Sequence, residues 1–88
     1  MIKIEYDRRF KKNFQNRIIP HKKILKRFKD RLELFVQNPR NPILKDHKLK
    51  GAEKEYRAFS ITGDIRIIYI KYNNTVALLD IGTHAQVY

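Results

Sequence analysis

The sequence predicts an α+β fold of order β-α-α-β-β-β, with two N-terminal helices packed on one face of an antiparallel sheet. Two observations carry this reading. Between residues 7 and 38 the apolar side chains recur at helical spacing, whereas from residue 55 they fall in runs rich in β-branched and aromatic residues, separated by turn residues. The switch occurs across NPRNP at 38–42, whose two prolines disfavour helix in the residues before them. Residues 1–88, with 42% apolar side chains, form one domain with a modest core.

The elements follow in order. IKIEY at 2–6 alternates and reads as a strand. Asp7 then offers a carboxylate to the free amide hydrogens of a first helical turn. In that helix Phe10 and Phe14 share one face, and Arg8, Arg9, Lys11 and Lys12 take the others. Pro20 suits a first turn and opens the second helix, where Ile24, Phe28, Leu32 and Phe35 form a stripe flanked by Leu25 and Val36. HKLKG at 47–51 is a short extended lead-in. EYRAFSI at 55–61, IRIIYIKY at 65–72 and TVALLDIG at 75–82 are strands joined by TGD and by NN, the latter because asparagine tolerates positive φ. Short connections make these three strands antiparallel neighbours, leaving the second sheet face partly open.

Charge is the strongest global signal. The formal net charge is +11, and residues 1–50 carry sixteen basic against five acidic side chains, whereas 51–88 carry four of each. A self-repelling excess of this size calls for a polyanion, of which nucleic acid is the commonest, although an acidic protein partner satisfies the charge equally. The chain has no cysteine, hence no disulfide framework and no thiolate metal site. MIKIEYDRRF lacks the apolar core of a signal peptide, and no apolar run reaches membrane-spanning length. A cytoplasmic protein with no membrane partner is the expectation.

Elimination narrows the chemistry. The histidines at 21, 47 and 84 lack close ligand spacing, so neither metal nor cofactor is called for. The glycines form no phosphate loop, and Ser60, the sole serine, lies inside a strand with no nucleophile elbow. His47, Asp64, Arg66, His84 and Tyr88 remain. In an antiparallel meander the start of IRIIYIKY is level with the finish of TVALLDIG, so Asp64, Arg66 and His84 can meet at one sheet end. Asp64 and Arg66, two apart, would share a face if both lay in the strand. Each residue also has a plainer role: a turn aspartate, a solvated arginine, a terminal tyrosine. The residues alone therefore lead to a basic α+β domain that binds nucleic acid.

Three segments, KDHKLKG at 45–51, EYRAFSITGDIRIIY at 55–69 and IGTHAQVY at 81–88, carry a closer resemblance. In their combination and spacing the chain resembles the RelE/ParE superfamily of toxins from type II toxin–antitoxin pairs, and within it the YafQ-type ribosome-dependent mRNA interferases. The resemblance spans nearly the whole chain. It implies a toxin that enters the ribosomal A site and cleaves mRNA, held in check by an acidic antitoxin. It further implies that His84 is the general acid, Asp64 a general base, and His47 an acid/base or positioning group. Arg66 would steady the phosphate, and Tyr88 would stack on or orient the substrate. The chain departs from the pattern at Ser60, where a further histidine is usual, at Ile65, where a tryptophan is common, and at Asp80, where a basic residue often stands. Two alternatives stay open: a ParE-type gyrase inhibitor without nuclease activity, and a catalytically degraded RNA-binding homologue. His47 and His84 favour the nuclease.

Overall fold

In the computed structural model, which describes residues 2–51 and 55–88, the apolar runs build a five-stranded sheet. The elements are β1 (Lys3–Tyr6), α1 (Arg8–Arg17), α2 (Lys22–Gln37), a 3-10 turn (Pro42–Leu44), β2 (His47–Lys48), β3 (Tyr56–Ser60), β4 (Ile65–Tyr72), β5 (Thr75–Thr83) and α3 (His84–Val87). Asp7 caps α1 as expected, its carboxylate accepting from the Arg9 amide at 3.2 Å. Pro20 sits in the turn before α2, two residues ahead of the first helical residue, and His21 occupies the cap position. Asn73 takes the positive φ of 53° that the β4–β5 hairpin needs.

The sheet order is β1-β5-β4-β3-β2, and the β2–β3, β3–β4 and β4–β5 pairs are antiparallel. The sheet is nevertheless mixed, not antiparallel throughout, because β1 joins β5 in parallel, with Lys3 opposite Thr75 and Tyr6 opposite Leu78. This pairing makes β5 an interior strand, which suits its buried Val76, Leu78 and Ile81.

Strand alternation divides the sheet into two faces. Phe59, Ile61, Ile65, Ile67 and Tyr69 point to the side of α1 and α2 and join Phe10, Phe28 and Phe35 in the core. Phe35 of α2 stacks on Phe59 at 4.3 Å between ring centroids and meets Tyr69 edge-on at 5.0 Å. Phe14 meets Phe28 at 4.7 Å and so joins α1 to α2. Ala58, Ser60, Arg66 and Ile68 point to the other face. That face is only partly open, because α3 packs across β4 and β5 there. Among the described residues no helix is long and apolar enough to cross a membrane.

The last strand breaks its own alternation. A bulge lets Tyr69 pair with Leu78 while Ile68 pairs with Asp80, leaving Leu79 as the extra residue. Strict alternation after Val76 and Leu78 would aim Asp80 into the core; the bulge gives that place to Ile81, opposite Ile67. Asp80 turns instead to α1, which covers β5 beyond the end of β1. Its carboxylate accepts from Asn13 Nδ2 at 2.6 Å and from the Ile81 amide at 2.8 Å, with Arg17 Nη1 at 3.5 Å. A carboxylate this dry needs such partners. Replacing Asp80 with alanine leaves these donors unmatched and is expected to cost about 2 kcal/mol, read as a thermal midpoint lower by about 10 °C in calorimetry.

Candidate functional site

The site grows from two short elements on the face away from α1 and α2. His47 opens β2 opposite Ala58, with its side chain exposed. Lys45, two residues earlier, takes a left-handed φ of 50°, and its carbonyl lies 2.9 Å from His47 Nδ1. A carbonyl can only accept, so Nδ1 carries the hydrogen and the neutral ring offers Nε2 as its free acceptor.

At the other end of the chain, α3 is a single turn that begins with a capping box. Thr83 Oγ1 accepts from the Gln86 amide at 3.3 Å, and Gln86 Oε1 accepts from the Thr83 amide at 2.8 Å. Gly82 allows this closure, because a Cβ there would lie 2.6 Å from Gln86 Oε1 and 2.7 Å from Arg17 Nη1. His84 and Tyr88, four residues apart, come to one side of the turn and meet edge-on at 4.3 Å. Val87 and Tyr88 then line a cavity of about 590 Å³ together with His47, Leu49, Lys50 and Gly51. His47 and Tyr88 thus share one cavity, and His84 reaches it through its contact with Tyr88.

Arg66 and Asp64 lie at the end of the sheet from which α3 departs. Arg66 sits on the same face, opposite Ser60 on one side and Gly82 on the other. Its Nε is buried and has no hydrogen-bond partner among the described residues. Asp64 is one residue beyond the last β4–β5 pair, Ile65 with Thr83, as is His84 on the other strand. Asp64 is not part of the strand, so alternation does not align it with Arg66. It lies in the hairpin bend, where Thr62 Oγ1 accepts from its amide at 3.2 Å and from that of Ile65 at 3.0 Å. Its side chain is exposed. Among the described residues no group of three or more His, Cys, Asp or Glu side chains is arranged to hold a metal ion.

The departures at 60 and 80 have structural explanations of different kinds. Ser60 is buried beside Arg66 in the register, whereas Asp80 is held by Asn13 and Arg17 of α1. Sequence reasoning passed over a second polar group next to His47. Asp46 accepts from the Tyr69 hydroxyl at 2.7 Å and from Arg57 Nε at 3.2 Å, and Arg57 Nε also reaches the Tyr69 oxygen at 3.2 Å. The signal was present. Arg57 has the parity of Phe59 and Ile61, and a cation at a core-facing position needs a carboxylate.

Residues 2–88 match the family described as the bacterial toxin of type II toxin–antitoxin systems, YafQ. The crystal structure of the E. coli DinJ–YafQ complex is similar at a TM-score of 0.83 and 27% identity, over 100% of this chain and 99% of that one. A metal-bound toxin from Helicobacter pylori aligns over the whole of both chains with a TM-score of 0.78 and 28% identity. YoeB from Staphylococcus aureus shares the fold, with a TM-score of 0.77 at 20% identity over 94% of this chain and 97% of that one. No curated protein matches the sequence.

The Tyr69 phenol is pushed well above its ordinary range, by burial first and then by its hydrogen bond to Asp46. A pKa raised on folding contributes stability that is complete below the unfolded value of about 10 and is lost as pH rises through the folded one. Urea unfolding is therefore expected to show stability falling above about pH 10 in the wild type. In Tyr69→Phe that fall should be much shallower, starting from a stability about 1 kcal/mol lower at neutral pH.

Proposed function

The chain belongs to the YafQ family of bacterial toxins from type II toxin–antitoxin systems, and on that premise we propose that it is an endoribonuclease that enters the ribosomal A site and cleaves the mRNA held there. The observation that carries this reading is the shared cavity of His47 and Tyr88, with His84 against Tyr88 and Arg66 on the same sheet face. RNA brings its own nucleophile, so these residue types suffice for the reaction. The 2′-oxygen attacks phosphorus as a base removes its proton, and the 5′-oxygen leaves with a proton from an acid, giving a 2′,3′-cyclic phosphate and a 5′-hydroxyl.

In this mechanism His84 is the general acid. His47, through its free Nε2, or Asp64 at the hairpin bend takes the 2′-proton. Arg66 holds the phosphate oxygens as charge builds on them. Tyr88 stacks on a base, a contact worth roughly 1–3 kcal/mol in single-stranded recognition. The lysines and arginines of α1 and α2 meet ribosomal RNA, where counterion release drives binding without sequence reading. The protein thus acts where ribosomes are, in the cytoplasm.

The restraining partner is a cognate acidic antitoxin, by analogy with the DinJ–YafQ complex. An open apolar groove of about 570 Å³ lies between α1 and α2, lined by Tyr6, Phe10, Phe14, Ile19 and Phe28 with Lys11 among them. Tyr6 and Ile19 are 44% and 45% exposed there, so a partner covering them buries new apolar surface. An amphipathic segment with acidic flanks fits this groove and its basic surroundings.

Toeprinting on ribosomes tests the activity. The wild type is expected to cut the A-site codon, and His84→Ala to slow cutting by about 10²–10⁴-fold while still binding ribosomes. Inhibition of gyrase supercoiling without ribosomes, and with translation untouched, would sink the nuclease reading. For the partner, Ile19→Glu is expected to weaken antitoxin binding by roughly tenfold or more in calorimetric titration while cleavage persists. Unchanged affinity would remove the groove from the interface.

A further inference from the structure

We infer that the Asp46–Arg57–Tyr69 hydrogen-bond cluster is a positioning device for His47, holding the imidazole in one tautomer and one direction from the opposite side of the sheet. The inference rests on the reading of His47 as part of the cleavage site and adds residues that never touch RNA.

The geometry is a relay through one peptide unit. The peptide joining Lys45 to Asp46 presents its carbonyl to His47 Nδ1, and Asp46, the next residue, clamps that unit in place. Asp46 Oδ2 accepts from the Tyr69 hydroxyl and Oδ1 from Arg57 Nε. Arg57 and Tyr69 face each other in the β3–β4 register, and Tyr69 is wedged edge-on against both Phe35 and Phe59. The aromatic packing around Tyr69 therefore decides where the Lys45 carbonyl lies. Asp46 stands just ahead of β2, and its bonds to Arg57 and Tyr69 draw its side chain to the helix side, while His47, opposite Ala58, emerges on the other.

Two further observations separate this cluster from the cavity. Asp46, Arg57 and Tyr69 open onto a different cleft of about 320 Å³, which they line with Phe35 and Arg40 and which shares no lining residue with the His47 cavity. They act through the loop. The strand that carries His47 is also too short to orient a ring unaided. It makes two register pairs with β3, His47 with Ala58 and Lys48 with Arg57, followed by the Leu49 amide on the Tyr56 carbonyl at 2.9 Å. The left-handed Lys45 adds a conformation that only its surroundings maintain.

The test combines nitrogen-15 NMR of the histidine rings with single-turnover cleavage on ribosomes, for the wild type, Asp46→Ala and Tyr69→Phe. Tyr69→Phe keeps the core ring and removes only the hydroxyl, so it decides the matter if Asp46→Ala does not fold. The wild type is expected to show His47 as the Nδ1–H tautomer, and each folded variant to shift toward the Nε2–H form. The cleavage rate constant should fall by up to about 100-fold with ribosome affinity unchanged. In a His47→Ala background the same substitutions should add no further loss. Folded variants with an unmoved His47 tautomer, or rate losses that persist undiminished without His47, overturn the inference. A wild type that does not cleave sinks the nuclease reading instead, while the NMR comparison still decides whether the cluster orients His47.

Discussion

The carboxylate of Asp80 is the interaction on which the geometry of the last strand depends. A charge at this depth persists only where donors surround it, and α1 supplies them in Asn13 and Arg17. The β5 bulge is the backbone's side of the same arrangement, since it takes Asp80 out of the core and sends Ile81 in. Arg17 also donates to the Ile81 carbonyl at 3.0 Å, satisfying the β5 edge that β1 is too short to reach. The strand then ends at Gly82 and Thr83, where close approach and capping start α3. The direction in which His84 and Tyr88 leave the sheet thus traces back to one acid on a helix–strand seam.

A second constraint is the division of labour between the two sheet faces. The helix side is dry and aromatic, and its packing of Phe35, Phe59 and Tyr69 leaves little freedom. The other side carries His47, Arg66, α3 and the cavity. Such a sheet can orient polar groups on one face by anchoring their neighbours on the other, because successive residues point to opposite faces and are covalently joined. Arg66 between Ile65 and Ile67 is the clearest instance, and Asp46, just ahead of β2, does the same for His47 through its bonds to Arg57 and Tyr69.

Net charge overlies this frame without shaping it. The excess of basic residues belongs to the part of the chain before residue 51, mostly on the exposed sides of α1 and α2. The candidate chemical groups lie at 47 and beyond residue 63. On the proposed function, binding to a polyanion therefore draws mainly on α1 and α2, and chemistry upon it on residues outside these helices. The apolar groove within the basic half offers a partner both burial and opposite charge.

The sequence by itself determined the kinds and places of the main elements, since helical and strand periods are local properties. It specified the Asp7 cap, the stripe of α2, the turn at Asn73 and the run of β4 to the residue. The level meeting of β4's start with β5's finish also followed from short hairpin connections. The Thr83–Gln86 spacing that starts α3 was readable as a capping box, but a four-residue helix shows no periodicity to confirm it. Only the tertiary structure decided the parallel seat of β1 beside β5, because nothing near residue 4 records what lies near residue 76. It alone assigned Asp80 to α1, since a bulge depends on the partner strand and the helix together. It also joined Asp46 to Arg57 and Tyr69. Those residues are 11 and 23 positions away, and only the closed sheet brings their side chains within hydrogen-bonding reach.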